Sequence, residues 1–221
     1  MLYNGDCLEV MDRLIADGTT VDAIITDPPY GMSYQSNARA DKHSKIKNDD
    51  CLDWLEGFVN RSYNLSKDNT AHYIFCSFHN IDIFKQAFEK KFTIKNILVW
   101  EKTNNSMGDL KGNYATRTEF ILFLHKGRRL MNGKRTPNIF KFARTRNELH
   151  PTQKPVELMS HLIEKFTDKD QTVLDPFMGS GTTGVSAKKN KRDWIGFDNI
   201  EEYVKFANQR IEKTKVNDKV S

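Results

Sequence analysis

Residues 172–184 read Thr172-Val-Leu-Asp175-Pro-Phe-Met-Gly179-Ser-Gly181-Thr-Thr-Gly184, and this stretch decides the fold. A short apolar run reaches an acid, and a Gly-x-Gly-x-x-Gly turn then opens a helix. The glycines permit a tight turn and let a ligand approach the backbone. Asp198 closes the next strand, 19 positions after Gly179. That spacing fits a nucleoside-binding βαβ unit whose acid takes the ribose hydroxyls. Spacing alone leaves the nucleoside open, NAD included, with its pyrophosphate on the helix N-terminus. A dinucleotide fold needs a second half after this unit, and the sequence stops at Ser221. The partner half is therefore expected from the N-terminal region.

That region holds a second strand end. Val21-Asp-Ala-Ile-Ile-Thr26 is a short β-branched run that stops at Asp27-Pro28-Pro29-Tyr30. Proline fixes its own φ and biases the residue before it toward extended backbone. A stiff loop results at the carboxyl end of a strand, where open α/β sheets place their ligands. Asp27 accepts hydrogen bonds, the prolines keep C=O groups but lack N–H, and Tyr30 offers a flat face. The set suits a planar base that carries an amino group.

Elsewhere, hydrophobic periodicity predicts helices over 7–17, 51–66, 81–92, 155–167, 182–190 and 201–213. It predicts strands over 71–78, 94–102, 118–126, 171–175 and 193–198. Strands alternating with helices imply an α/β domain with a mainly parallel sheet covered on both faces. Residues 31–50 are polar and aperiodic and read as a long, flexible loop.

Composition narrows the class. The 221 residues suit one well-cored domain, and 11% aromatic content indicates a folded chain. No apolar run is long enough to span a membrane, and the N-terminus lacks an export pattern, so a cytoplasmic setting is expected. Cys7, Cys51 and Cys76 fit neither a zinc spacing nor a disulfide framework, and no metal is expected. Net charge is +5, but the window from His125 to Arg146 holds Lys126, Arg128, Arg129, Lys134, Arg135, Lys141, Arg144 and Arg146 with no acid. The remainder sums to −3. Such a block is either a solvated face or the footprint of a nucleic-acid site.

Three motifs in order, Asp27–Tyr30, His150-Pro-Thr-Gln-Lys154-Pro155 and Asp175–Thr183, resemble the amino-methylating DNA methyltransferases of the β group. The resemblance extends to Asn4–Cys7, Trp100–Lys102 and Glu119–Gly127. It implies a Rossmann-like, S-adenosylmethionine-dependent fold with a seven-stranded mixed sheet and circularly permuted motif order. Strand 172–175 would then come first, 193–198 second, 2–4 third and 21–26 fourth. One catalytic domain over 1–221 is implied, with a basic target-recognition segment at about 127–149.

The same resemblance implies site roles. Asp175, Phe177, Gly179, Ser180 and Gly181 would line the S-adenosylmethionine pocket. Thr182, Thr183 and Lys154 would lie near its methionine carboxylate, Asp198 at its ribose, and Asp6 and Cys7 by its adenine, with Asp27 adjoining. Asp27, Pro28, Pro29 and Tyr30 would hold the target amine. DNA becomes the implied partner of Arg39, Lys42, Lys45 and the basic block. Asp at position 27 favours adenine N6, and cytosine N4 stays open because Ser is the commoner residue there in the cytosine group. The recognition segment is short, so help from a homodimer mate and a cognate restriction enzyme are both compatible. A nicotinamide oxidoreductase would leave Asp27–Tyr30 without a role. An inactive DNA-binding regulator would not need an intact Asp27 and glycine turn.

Overall fold

The computed structural model describes residues 1–30, 52–103, 111–144 and 153–216. Loop 31–50 with Arg39, Lys42 and Lys45, then Arg146 and residues 150–152, lie outside the described residues. In chain order the elements are β1 (Leu2–Asn4), α1 (Cys7–Ala16), β2 (Ala23–Thr26), α2 (Trp54–Leu65), β3 (Thr70–Cys76), α3 (Ile81–Glu89) and β4 (Thr93–Lys102). They continue as β5 (Thr118–Lys126), β6 (Ile139–Phe142), α4 (Val156–Phe166), β7 (Thr172–Asp175), α5 (Thr182–Lys189), β8 (Asp193–Asp198) and α6 (Glu201–Glu212).

The strands form one sheet in the order β1-β8-β7-β2-β3-β5-β4-β6. β1, β8, β7, β2 and β3 run parallel, and β5 runs antiparallel to both β3 and β4. The permuted order expected from the resemblance is present: β7 is flanked by β8 and then β1 on one side and by β2 on the other. The missing half is the N-terminal region, with Ile24 of β2 opposite Leu174 of β7.

The sheet has eight strands among the described residues, where seven were expected. The extra strand, β6, comes from inside the basic segment and pairs parallel with β4, Val99 opposite Ile139. Its sequence Ile-Phe-Lys-Phe alternates, with Phe140 and Phe142 half-buried and Ile139 and Lys141 exposed. Phe142 C=O also accepts from Trp100 Nε1 at 2.9 Å. The positive charge masks a period-two pattern in the sequence.

Alternation along the strands builds two cores. Ile24 and Ile74 pack with Val10, Met11, Phe58, Phe84 and Phe88 from α1, α2 and α3. Ile25, Tyr73 and Phe75 turn the other way, against Leu158, Leu162, Ile163 and Phe166 of α4. Burying each such side chain contributes about 1.5–3 kcal/mol. With both faces covered, the parallel strands end together at one rim. There the chain leaves β7 toward β8 and leaves β2 toward β3, so a crevice opens between Asp175 and Asp27. No helix among the described residues is long and apolar enough to cross a membrane.

Candidate active site

The glycine turn is locked from beneath. Asp175 is buried, and Oδ1 accepts from Thr26 Oγ1 at 2.6 Å and Phe177 N at 3.1 Å. Oδ2 accepts from Thr183 Oγ1 at 2.5 Å. Burial pushes this carboxyl up to about 6, and the hydrogen bonds from Thr183, Thr26 and Phe177 work against that rise. Asp175 and Thr183 therefore tie the turn to β2. Phe177 packs edge-on against Trp54 and Phe58, with centroids 5.4 and 5.6 Å apart.

Gly179 and Gly181 take left-handed backbone, φ 49° and 78°. A Cβ on Gly181 would meet Ala207 Cβ at 2.8 Å, so a side chain is excluded at that position. Arg210 of α6 braces it from the side: Nη1 donates to Ser180 O at 2.9 Å, Thr182 Oγ1 at 3.1 Å and Ser180 Oγ at 3.3 Å. Ser180 and Thr182 thus have side-chain partners within the protein.

Asp198 receives Gly179 N at 3.0 Å on Oδ2 and Ile200 N at 2.9 Å on Oδ1. The Asn199 amide also bonds to this carboxylate, so of its about four lone-pair positions at least one stays available for a ribose hydroxyl. The end of β1 lies beside it, with Gly5 N and Asn4 Nδ2 both donating to Asp198 O at 3.1 Å. Asp6 follows and caps α1, its Oδ1 accepting from Leu8 N at 2.9 Å. Burial and the Asp6 charge push the Cys7 thiol up to about 12, so it stays protonated and unreactive. A glycine turn, a partly satisfied Asp198 and the adjoining Asp6-Cys7 form a nucleoside cradle that fits S-adenosylmethionine.

The second loop begins one strand over. The Asp27 side chain is 21% exposed, Pro28 is buried, and Pro29 and Tyr30 are half-buried. Tyr30 Oη donates to Asp27 Oδ1, and Asn80 Nδ2 donates to Tyr30 O, which pins the loop to the turn before α3. Burial and the Asp27 charge raise the Tyr30 phenol, so it remains a donor.

Lys154, expected near the methionine carboxylate, lies against the Asp27 loop. Its Nζ is 2.5 Å from Asp27 Oδ2 and 2.9 Å from Glu119 Oε2, and it stands 5.0 Å over the Phe75 ring. It belongs to the Asp27 loop. Glu119 in turn pairs with Lys102 Nζ at 2.6 Å. Burial opposes the Glu119 charge, yet Lys154 and Lys102 hold its carboxyl down at about 2. Glu119, Lys102, Asn80, Thr26 and Arg210 were not singled out as site residues from the sequence. The available signal was acid and base at the ends of apolar strands, in Trp100-Glu-Lys102 and Thr118-Glu-Phe120.

The basic block divides between the two rims of the sheet. β5 runs away from the crevice, pairing Phe120 with Cys76 and Lys126 with Thr70. At ~3.3 Å per residue, the length of β3 puts Lys126 about 20 Å from the catalytic rim. There Lys126 Nζ donates to Ser66 O at 2.8 Å and Tyr63 O at 3.1 Å. Arg129 pairs with Asp168 at 2.7 Å, and Arg128 is exposed beside them. Lys134 and Arg135 are exposed on the stretch that crosses α4, where Lys165 Nζ donates to Lys134 O at 2.8 Å. β6 then climbs parallel to β4, so Lys141 and Arg144 return, exposed, to the crevice rim.

A family model described as DNA methylase, covering N6 and N4 methyltransferases, matches residues 21–209. The Type II methyltransferase M2.DpnII of Streptococcus pneumoniae is 31% identical over 244 aligned residues, 96% of this chain and 89% of that protein. The DNA adenine methyltransferase YhdJ of Escherichia coli K12 is 28% identical, covering 96% of this chain and 82% of its own length. The crystal structure of the M1.HpyAVI-SAM complex superposes with a TM-score of 0.77 at 31% identity, over 95% of this chain and 98% of that one. Two strand-end loops on neighbouring parallel strands, one cradling a nucleoside and one presenting Asp-Pro-Pro-Tyr, place this chain in the family of S-adenosylmethionine-dependent amino-methylating DNA methyltransferases.

Proposed function

We propose that the chain methylates N6 of adenine in DNA, with the base turned out of the helix into the crevice beside Asp27. The observation that carries this reading is the coupling of the two loops: Thr26, the residue before Asp27, donates to Asp175 at 2.6 Å. The amine site and the methyl-donor site are thereby held one strand apart.

An exocyclic adenine amine is a weak nucleophile, because its lone pair is delocalised into the ring. Asp27 carboxylate and Pro28 C=O accept its two N–H bonds and favour a pyramidal nitrogen. S-adenosylmethionine supplies an electrophilic methyl group on a sulfonium. As the N–C bond forms the S–C bond would break, a neutral thioether would leave, and the amine would shed one N–H proton toward the Asp27 side. Positioning and electrostatics do the work without a covalent enzyme intermediate. The Tyr30 ring stacks on the extruded base, worth ~1–3 kcal/mol by analogy with base–aromatic contacts. Extrusion itself is required, since the amine is out of reach within the duplex.

DNA contact is assigned to Lys141 and Arg144, which are exposed at the crevice rim. Lys126 and Arg129 are given to the protein itself, because their charges already meet carbonyls and Asp168. A short recognition segment favours a homodimer on DNA, which light scattering with a bound duplex would measure. Protection of methylated DNA from an endonuclease that cuts the same site would identify a cognate restriction partner.

Mass spectrometry of DNA nucleosides after incubation with methyl donor tests the reading. N6-methyladenine is expected. N4-methylcytosine in its place would overturn the choice of base, and no methylated base at all would overturn the reading.

A further inference from the structure

Lys154 joins the Asp27 loop to β5 through two carboxylates. Its ammonium has three N–H donors. One donates to Asp27 Oδ2 at 2.5 Å, Glu119 Oε2 lies at ion-pair distance, 2.9 Å from the nitrogen, and the cation lies 5.0 Å over the face of Phe75. The side chain is only 10% exposed. The chain aims it there. Lys154 precedes Pro155, which restricts it to extended backbone, and Pro155 caps α4 with φ −64° and ψ 135°. The lysine therefore points off the helix start toward the sheet rim.

Charges alternate along the contact line: Asp27, Lys154, Glu119, Lys102, with Lys154–Glu119 at 2.9 Å and Glu119–Lys102 at 2.6 Å. We propose that Lys154 is a positioning residue for methyl transfer: clamped by Glu119, it fixes the Asp27 carboxylate as an anionic acceptor aimed at the target amine. Without Lys154, two carboxylates share one half-buried space, and one of them takes a proton. A protonated Asp27 presents O–H where the amine needs an acceptor. Lys102 completes the line by keeping Glu119 charged.

The titratable groups facing Asp27 are Tyr30 from its own loop, Lys154 before α4 and Glu119 from β5. Asp175 from β7 and Cys76 from β3 also feel its charge. Burial raises Asp27 and Glu119 adds to the rise, while Lys154 opposes both. The two neighbours therefore act on Asp27 with opposite sign.

The experiment compares Lys154→Met and Glu119→Gln with the parent enzyme. It reads the pH profile of kcat at saturating DNA and methyl donor, the Kd for S-adenosylmethionine, and the thermal midpoint. In Lys154→Met the acid limb moves to higher pH by about one unit or more, and kcat at pH 7 falls at least about tenfold. In Glu119→Gln the limb moves to lower pH. Lys154→Arg recovers part of the parent position. Cofactor Kd stays within about threefold in each variant, since Lys154 is assigned to the amine side. A Kd raised about tenfold or more with an unmoved limb would return Lys154 to the methionine carboxylate and overturn the proposal. A lowered midpoint with an unmoved limb would make it a purely structural ion pair. Opposite limb shifts cannot come from destabilisation alone, and Glu119→Gln carries the test if Lys154→Met fails to fold. The inference rests on the methyl-transfer reading. A parent enzyme that methylates no DNA sinks that reading, whereas unmoved limbs in active variants sink only the role of Lys154.

Discussion

Two neighbouring strands of this sheet end in the same dipeptide, Asp27-Pro28 after β2 and Asp175-Pro176 after β7, and the two aspartates do opposite jobs. Asp175 meets only neutral donors: Thr26, Thr183 and the Phe177 amide. It is a brace, and its carboxyl sits at about 6 because burial has no cation to oppose it. Asp27 meets a phenol and an ammonium, in a side chain left 21% exposed. It is an acceptor kept open to a ligand. The dipeptide gives both strands a rigid exit, and the neighbours decide which exit handles the chemistry.

The largest effect should come from Asp27→Ala. Removing the amine acceptor should lower kcat by about 10³-fold or more, while calorimetry finds S-adenosylmethionine binding within about threefold of the parent. Turnover within tenfold of the parent would erase the distinction between the two aspartates. Gly181→Ala should do the reverse. At φ 78°, with a Cβ placed 2.8 Å from Ala207 Cβ, it should cost about 3 kcal/mol of stability and weaken cofactor binding. At saturating cofactor its kcat should stay near the parent value, and a kcat loss as large as that of Asp27→Ala would show that the two loops act as one unit.

Asp175 offers a pH test of the brace. Burial raises its carboxyl to about 6, above the ordinary carboxyl value of 3.8. The folded state therefore binds the extra proton between those values, and the stability owed to Asp175 is fully present below pH ~4 and lost as pH rises through ~6. That loss is at most about 3 kcal/mol. Asp175→Asn removes it, so the parent-minus-variant difference in unfolding free energy should fall between pH 4 and 6. A difference flat with pH would mean that burial does not raise the Asp175 carboxyl.

Much of this contrast was legible in the sequence, and the rest was not, for physical reasons. Apolar runs ending in Asp-Pro, one followed by Gly179-x-Gly181, marked both loops, because rigid turns have local chemistry. β5 and β8 were placed residue for residue, since their alternation is bounded by clear breakers. β6 was missed because Lys141 and its basic flanks outweigh four alternating residues. The pairing of Lys154 with Asp27 and Glu119 was not legible because Glu119 is 35 positions away and is placed by how β5 lies across β3. Spacing along a chain does not report such pairings.

The basic block tests the smallest term of the comparison, which rim of the sheet meets DNA. In sequence the eight cations form one patch. In the fold β5 carries Arg128 to the rim where β3 begins, and β6 returns Lys141 and Arg144 to the rim shared by Asp27 and Asp175. Each phosphate contact contributes about 0.9 to the slope of log K against log salt. Lys141→Ala with Arg144→Ala should therefore flatten that slope by nearly ~2 and weaken binding severalfold at moderate salt. Arg128→Ala should leave the slope as it is, although both changes remove charge from the same stretch of sequence. Net charge alone would let Arg128→Ala flatten the slope about as much, per charge, as the β6 pair. A rim-specific site requires the slopes to separate, and fluorescence anisotropy with a labelled duplex across a salt series reads the difference directly. Equal slopes would put DNA on both rims and detach the basic block from the catalytic crevice.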